Sequence, residues 1–248
     1  NEQELTTKKF VIPYISEIKP ISKEIKLLEI GCGEGGNIKP FLDMGCQYTG
    51  IDLSEKQIEN AKNYFKLHPN HKKLTLINED IYKVSPQNHY DVIIMRDVIE
   101  HIPDQEKFMS FLKNFIAPGG VIFFGFPPWQ MPFGGHQQVL NSKVLSHVPY
   151  IHLLPDFLYK GLMKFFGESN ATVESRMDIK KTSISIERFE KIIKSENYRI
   201  RKKTYYFINP NYQAKFNLKP RKQLKLVTKV PWLRNFFTTA MYYIVSQE

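Results

Sequence analysis

The chain has 248 residues, 42% hydrophobic and 24% charged, which is enough apolar material for one large core or two small ones and too much for a disordered polymer. No run approaches the roughly 20 apolar residues of a membrane span, and the opening NEQELTTKKF lacks the apolar stretch of a secretory signal. Of the net charge of +10, most lies between Lys180 and Arg234, where 16 Lys or Arg face three Glu, so the rest of the chain is slightly acidic.

Cys32 and Cys46 are too few for a disulfide framework and fit reduced thiols in the cytoplasm. Residue 1 is not Met, which leaves room for an upstream segment.

The elements alternate. IKLLEI (25–30) is a buried-strand run, followed by GCGEGG and a short helix, NIKPFLDMG, with Asn37 as cap, Pro40 in its first turn and Gly45 at its end. QYTGID (47–52) is a second strand, and Ser54 with Gln57 makes a capping-box pattern before a helix carrying Ile58, Ala61 and Phe65 on one face. KLTLI (73–77) and DVIIM (91–95) are the next strands. Pro103 and Asp104 open a helix with Phe108, Phe111, Leu112, Phe115 and Ile116 at helical spacing, closed by Pro118 and Gly119, and GGVIFFGF is a fifth strand. Such alternation predicts parallel strands joined by right-handed helical crossovers, an α/β doubly wound sheet.

After Phe126 the pattern breaks. Residues 127–183 are rich in Pro, Gly and aromatics, too long for a simple connection, and read as a mainly helical insertion covering a substrate within a single domain of residues 1–248. Leu158, Leu162, Phe165 and Phe166 in it share helical spacing, suited to an apolar pocket or a membrane-facing lid, or to an ordinary helix docked on the core. ISIERFEKIIKSENY then reads as a helix, YRIRKKTYYFIN as a strand and TTAMYYIVSQ as a last strand.

The strongest chemical signal is LLEIGCGEG followed by GID. In a doubly wound sheet the ligand lies beyond the carboxyl ends of the first strands, where a Gly-rich turn (Gly31, Gly33, Gly35) lets backbone approach it. Asp52, at the end of the second strand, is placed to accept ribose hydroxyls. A dehydrogenase usually shows G-x-G-x-x-G around a pyrophosphate. Here the third glycine comes one residue early, and Glu29 just before the loop would repel a pyrophosphate while suiting a ligand that bears an ammonium and a sulfonium. That points to S-adenosylmethionine.

With LLEIGCGEG, YTGIDLS, NEDI and APGGVIFF in order, the chain resembles the class I S-adenosylmethionine-dependent methyltransferases, over roughly Ile25 to Phe126. The resemblance implies a mostly parallel seven-stranded sheet with the last strand inserted antiparallel beside the sixth. It further implies that the loop from Gly31 to Gly35, with Cys32 and Gly33 in it, holds the methionine part, Asp52 the ribose, Leu53 an adenine face, and Asp80 with Ile81 the adenine amino group. Arg96, just past the fourth strand, is a further cofactor-side candidate beside Glu29.

The run RDVIEH follows that strand. If Asp97 to His101 forms one helical turn, Asp97, Glu100 and His101 project from the same face, and His136 in FGGHQQ is able to close over them. Two carboxylates and two imidazoles suit a divalent metal ion with open positions for an acceptor oxygen. The pattern resembles the metal-dependent subset of the family, small-RNA 3′-end and some ubiquinone O-methyltransferases, with Asp97 standing where that subset carries Glu. The alternatives are His101 or His136 as a general base, or side chains that only shape a pocket.

These residues support O-methylation of a small-molecule or lipid-linked acceptor in the cytoplasm, with peripheral membrane contact as an option. The alternative is an RNA 2′-O-methyltransferase using the basic C-terminal third, with Tyr205, Tyr206, Phe207, Tyr212, Phe216 and Trp232 among its aromatics. A non-catalytic scaffold is a third class, which the intact loop disfavours.

Overall fold

The computed structural model describes residues 2–86 and 89–248. Its strands are β1 (Lys26–Ile30), β2 (Gln47–Asp52), β3 (Leu74–Asn78), β4 (Tyr90–Arg96), β5 (Ile116–Phe126), β6 (Tyr198–Ile208), β7 (Arg221–Lys222) and β8 (Ala240–Gln247). They form one sheet in the order β3-β2-β1-β4-β5-β8-β6-β7. The inner strands are parallel, and β8 lies antiparallel between β5 and β6. Leu27, Leu28, Ile93 and Ile94 of β1 and β4 are buried from both faces, as parallel strands with helices on either side require.

The sheet has eight described strands rather than the expected seven. The additional one is the two-residue β7, which pairs antiparallel with the end of β6 and puts Arg221 and Lys222 at an exposed edge, a composition that discourages further pairing.

Helices pack on both faces. On one, α5 (Gln105–Leu112) and α8 (Ile186–Ser195) bury Phe108, Met109, Phe189 and Ile193. On the other, α1 (Glu2–Thr6) leads through a π turn (Thr7–Val11) into α2 (Ile12–Ser16), beside α3 (Ile38–Asp43) and α4 (Glu55–Phe65), with Val11, Ile15, Phe41 and Phe65 inside. Ser54 accepts from the Gln57 N–H and Asp104 from the Lys107 N–H, so both caps form as the sequence suggests. The helix after Asp104 is shorter than its apolar spacing implies. It gives way to a 3₁₀ turn, Lys113–Phe115, and Ile116 already pairs with Tyr90 across a register shift, so β5 begins ahead of Pro118.

The insertion contains α6 (Asp156–Phe165) and α7 (Asn170–Lys181) and has its own small core of Leu145, Ile151, Tyr159, Met163, Val173 and Met177. Helix α6 buries Tyr159 and Met163, four residues apart, and half-buries Leu162; Leu158, Phe165 and Phe166 face solvent. The docking stripe is therefore rotated from the one its apolar spacing suggests. The order of β1 and β4 about the centre of the sheet makes a switch point there, and the crevice outside the carboxyl ends at such a point is where a doubly wound sheet binds its ligand.

Candidate active site

The turn after β1 is fixed by backbone bonds. The N–H groups of Gly31 and Cys32 both donate to the Ile51 carbonyl of β2, at 2.8 and 3.1 Å. Gly31 has φ +72°, and a Cβ there would lie 2.5 Å from Val98 Cγ2, so this position needs glycine twice over. Gly33, at φ +53°, donates its N–H to Asp52 Oδ2 at 2.8 Å, and the Ser54 N–H donates to Oδ1 at 2.9 Å. Asp52 thus ties the ends of β1 and β2 together while staying partly exposed, with lone pairs left over for a ligand.

Beyond it, Leu53 is 76% exposed. Asn78 reaches back to the Asp52 carbonyl at 3.0 Å, and Asp80 caps the 3₁₀ turn Ile81–Lys83 through the Tyr82 N–H, with Ile81 buried. The expected sequence positions from Gly31 to Ile81 therefore converge on one stretch of the sheet edge.

Glu29 and Arg96 sit behind that stretch rather than on it. Glu29 is 1% exposed; Asn37 donates to Oε1 at 2.6 Å and the Tyr48 hydroxyl to Oε2 at 3.0 Å. Burial pushes its carboxyl up to about 7 against the pull of those two bonds. Asn37 Oδ1 in turn accepts from Arg96 at 2.6 Å and from the Thr7 hydroxyl at 2.7 Å, and Arg96 also donates to Asn211 of α9 (Asn211–Phe216). This network clamps the N-terminal π turn, the Gly-rich loop and α9 into one unit. Asn37 occupies the N-cap position of α3 without capping it, because its side chain is committed here. Cys32 is buried and its thiol is raised by burial, which leaves it an inert packing group.

The run after β4 departs from a single helical turn. Asp97 takes φ +56° and donates its N–H to the Gly125 carbonyl at 2.7 Å; a 3₁₀ turn covers only Ile99–His101. Asp97 consequently stands outside the turn that carries Glu100 and His101. Its side chain lies near Tyr212 and Tyr242, and enclosure by protein raises its carboxyl against the pull of Arg96.

Glu100, His101 and His136 do come together. One ligand atom from each lies within 4.8 Å of the others, and the two imidazole centroids are 5.2 Å apart. Asp97 is not in this group. Glu100 is 5% exposed, and among the described residues neither carboxylate oxygen has a hydrogen-bond partner. Burial first, then the charge of Asp97, lifts its carboxyl well above the ordinary range. His101 is lowered by burial and by Arg176, and His136 is pushed down to about 4 by burial, His101 and Arg176, so both rings are neutral near pH 7 with lone pairs free.

His136 is itself held in a left-handed conformation, φ +52°, and its carbonyl accepts from Arg176 of α7 at 3.1 Å. His101, His136 and Arg176 line a cleft of about 990 Å³ together with Glu174, Asp178 and Ile179, the size of a small-molecule site. An orphaned buried carboxylate beside two neutral imidazoles is a donor set that fits a divalent cation. Arg176, Asn37, Thr7 and Asn211 have no signature in the sequence; each matters through a partner at least 30 residues away.

A doubly wound sheet with a glycine turn after β1 bonded to a carboxylate at the end of β2 defines a nucleotide-type crevice. The chain belongs to the class I S-adenosylmethionine-dependent methyltransferase family: the model of the methyltransferase domain matches residues 6–160. Among curated relatives it is 28% identical over 99 residues to the ubiquinone biosynthesis O-methyltransferase of Thiobacillus denitrificans, covering 40% of this chain and 43% of that protein. With the protein of the same name from Pelagibacter ubique it is 34% identical over 113 residues, 44% of each. The match thus spans less than half the length of these relatives. Among solved structures, the plantazolicin methyltransferase BpumL in complex with SAH superposes with a TM-score of 0.59 at 17% identity, covering 100% of this chain and 85% of that one. The magnesium protoporphyrin IX methyltransferase of Synechocystis PCC 6803 does so with a TM-score of 0.56 at 13% identity, covering 100% and 80%. These likenesses carry the fold.

Proposed function

We propose that the protein transfers the methyl group of S-adenosylmethionine to an oxygen of a small-molecule acceptor seated in the cleft between the sheet edge and the insertion. The observation that carries this reading is the meeting of Glu100, His101 and His136 at the mouth of that cleft, at the edge of the sheet where the Gly-rich loop lies. The O-methyltransferase names of the curated relatives support oxygen as the acceptor atom. In this reading Gly31 to Gly33 hold the methionine part, Asp52 the ribose, and Leu53, Asp80 and Ile81 the adenine. Glu29, Arg96 and Asn37 set the loop rather than touch the ligand. Residues 127–183 cover the acceptor.

The chemistry asks for alignment more than for activation. A lone pair on the acceptor oxygen attacks the methyl carbon, the carbon–sulfur bond breaks, and its electron pair stays on sulfur to give S-adenosylhomocysteine. Where the imidazoles are unliganded, the acceptor proton goes to His101 or His136; as ligands of an ion they would have no lone pair for it, and the proton would pass to solvent. Glu100, His101 and His136 are the residues that would hold a divalent ion, and such an ion would supply a lower pKa for the acceptor hydroxyl. Asp97, outside that group, would face the cofactor side.

The test is transfer of labelled methyl from S-adenosylmethionine into fractionated cell extract. The expected label appears in a low-molecular-weight, organic-extractable fraction as a base-stable ether. Label confined to RNA, or none in any fraction, would contradict the assignment.

A further inference from the structure

The C-terminal third presents a surface that methyl transfer does not use. From Asn197 to Gln247 the chain contains no Asp or Glu. Between β6 and β8 it forms α9, β7, α10 (Lys225–Thr228) and α11 (Leu233–Phe236), elements too short to bury a face of their own. They leave Leu224 70% and Leu226 81% exposed, with Leu218, Val230, Trp232 and Leu233 exposed beside them in the sequence. Lys215, Lys219, Arg221, Lys222, Lys225 and Lys229 are interleaved with these and also exposed.

Trp232 shows that the display is held in place. It has φ +64°, a conformation that a bulky residue adopts only when its surroundings impose it. The imposition is visible: its N–H donates to Glu187 Oε1 at 2.9 Å, and Arg234, two residues on, pairs with the same oxygen at 2.9 Å. A fixed backbone thereby holds an indole in the open.

Aliphatic tips scattered among cations gain nothing from water and little from nucleic acid, where binding comes from rings stacked on bases. Of the β6 aromatics named above, Tyr205 and Tyr206 are buried and Phe207 is exposed; with Phe216 and Trp232 it makes three exposed rings against the five exposed aliphatic side chains Leu218, Leu224, Leu226, Val230 and Leu233. A bilayer interface rewards both halves of the pattern, apolar tips entering the acyl boundary and cations meeting anionic headgroups, with Trp at the level of the interface. None of the described helices is long and apolar enough to cross a membrane, so the contact is with a surface. We propose that the segment from Leu218 to Trp232 docks the protein on an anionic lipid surface.

The experiment is co-sedimentation with vesicles of phosphatidylcholine alone and of phosphatidylcholine with phosphatidylglycerol, at low and high salt. The expected protein binds only the anionic vesicles and is released by salt. Lys222→Gln with Lys225→Gln and Lys229→Gln lowers the partition coefficient on the order of 100-fold, each basic residue near an anionic leaflet being worth roughly fivefold. Leu224→Ser with Leu226→Ser weakens binding to the anionic vesicles at low salt. S-adenosylmethionine affinity and melting temperature serve as folding controls and stay unchanged in both variants. No binding to anionic vesicles at low salt overturns the proposal, as does full binding by both variants. So does a vesicle-inert protein whose patch proves to be covered by a second copy, seen as a dimer that the Leu→Ser pair dissociates, or one that retains salt-dependent binding to single-stranded RNA instead.

Discussion

The two banks of the crevice are built by different means. The bank after β1, β2 and β3 is made of backbone: glycines at positive φ, N–H groups of Gly31, Cys32 and Gly33 bonded to β2, and one carboxylate, Asp52, tying the strand ends. Its parts lie within a short stretch of sequence. The bank after β4 is made of side chains brought in from afar, with His136 and Arg176 arriving on the insertion to meet Glu100 and His101. The first is rigid and general, fit for a cofactor. The second is the place where an acceptor is chosen, because loops and insertions can vary without disturbing the strand frame.

If the banks are separable, damage to one should spare the other, and the largest effect is expected on the acceptor side. Glu100→Ala or His136→Ala should lower turnover on the order of 10² to 10⁴-fold, the span of acid–base assistance. Rigorous chelation should match either variant if an ion is used, and added Mg²⁺, Mn²⁺, Fe²⁺ or Zn²⁺ should restore the wild type alone. Full turnover after chelation, with no metal found by elemental analysis, would leave the imidazoles as bases.

The next effect concerns the clamp behind the cofactor bank. The Glu29 carboxyl lies at about 7 in the fold against an ordinary 4.5. The folded protein therefore holds a proton that the unfolded chain has released, and native stability falls as pH rises from 4.5 to about 7, by up to about 3 kcal/mol, then levels off. Glu29→Gln keeps an acceptor for Asn37 and flattens this profile, so urea unfolding at pH 5 and pH 8 should show the variant gaining on the wild type at the higher pH. An equal slope in both proteins would refute the ionisation.

A smaller change is expected from Asp52→Ala. Losing a charged acceptor for ribose hydroxyls, and for the N–H groups of Gly33 and Ser54, should weaken S-adenosylmethionine at least about tenfold, since bonds to charged groups are worth about 1.5–3 kcal/mol each. Calorimetry reads it directly, and undiminished affinity in a folded variant would remove Asp52 from the cofactor bank. Least of all is expected from Leu158→Ser with Phe165→Ser. Both residues are exposed on α6, so the melting free energy should stay within about 0.5 kcal/mol of the wild type. A loss of several kcal/mol would place them in a core the structure does not show.

The same contrast explains what the sequence made legible. The strand runs IKLLEI, QYTGID and DVIIM are dense in apolar or β-branched residues, and each structural strand begins or ends within about a residue of its pattern, so the crevice and its glycine turn follow from local signals. Asp97 does not, because a left-handed residue that is not glycine leaves no mark in a sequence, and one such residue removes it from the turn that Glu100 and His101 share. Helix α7 falls within the mainly helical insertion but has no boundary of its own in the sequence, since NATVESRMDIKK buries only Val173 and Met177, too thin a stripe to announce itself. The N-terminal turn was hidden by Pro13 and by Thr7, a polar residue buried for a partner 30 positions on. β7 is two residues in a basic run. What could not be read is what depends on meetings between distant segments.

The most direct measurement takes the double variant Glu100→Ala with His136→Ala and follows two quantities on one sample: S-adenosylmethionine affinity by calorimetry, and single-turnover methyl transfer to the acceptor fraction identified in extract. The separable banks predict an affinity equal to that of the wild type and transfer lost by at least about 10²-fold. Affinity and transfer falling together by the same factor would contradict the account, because the residues after β4 would then belong to the cofactor bank.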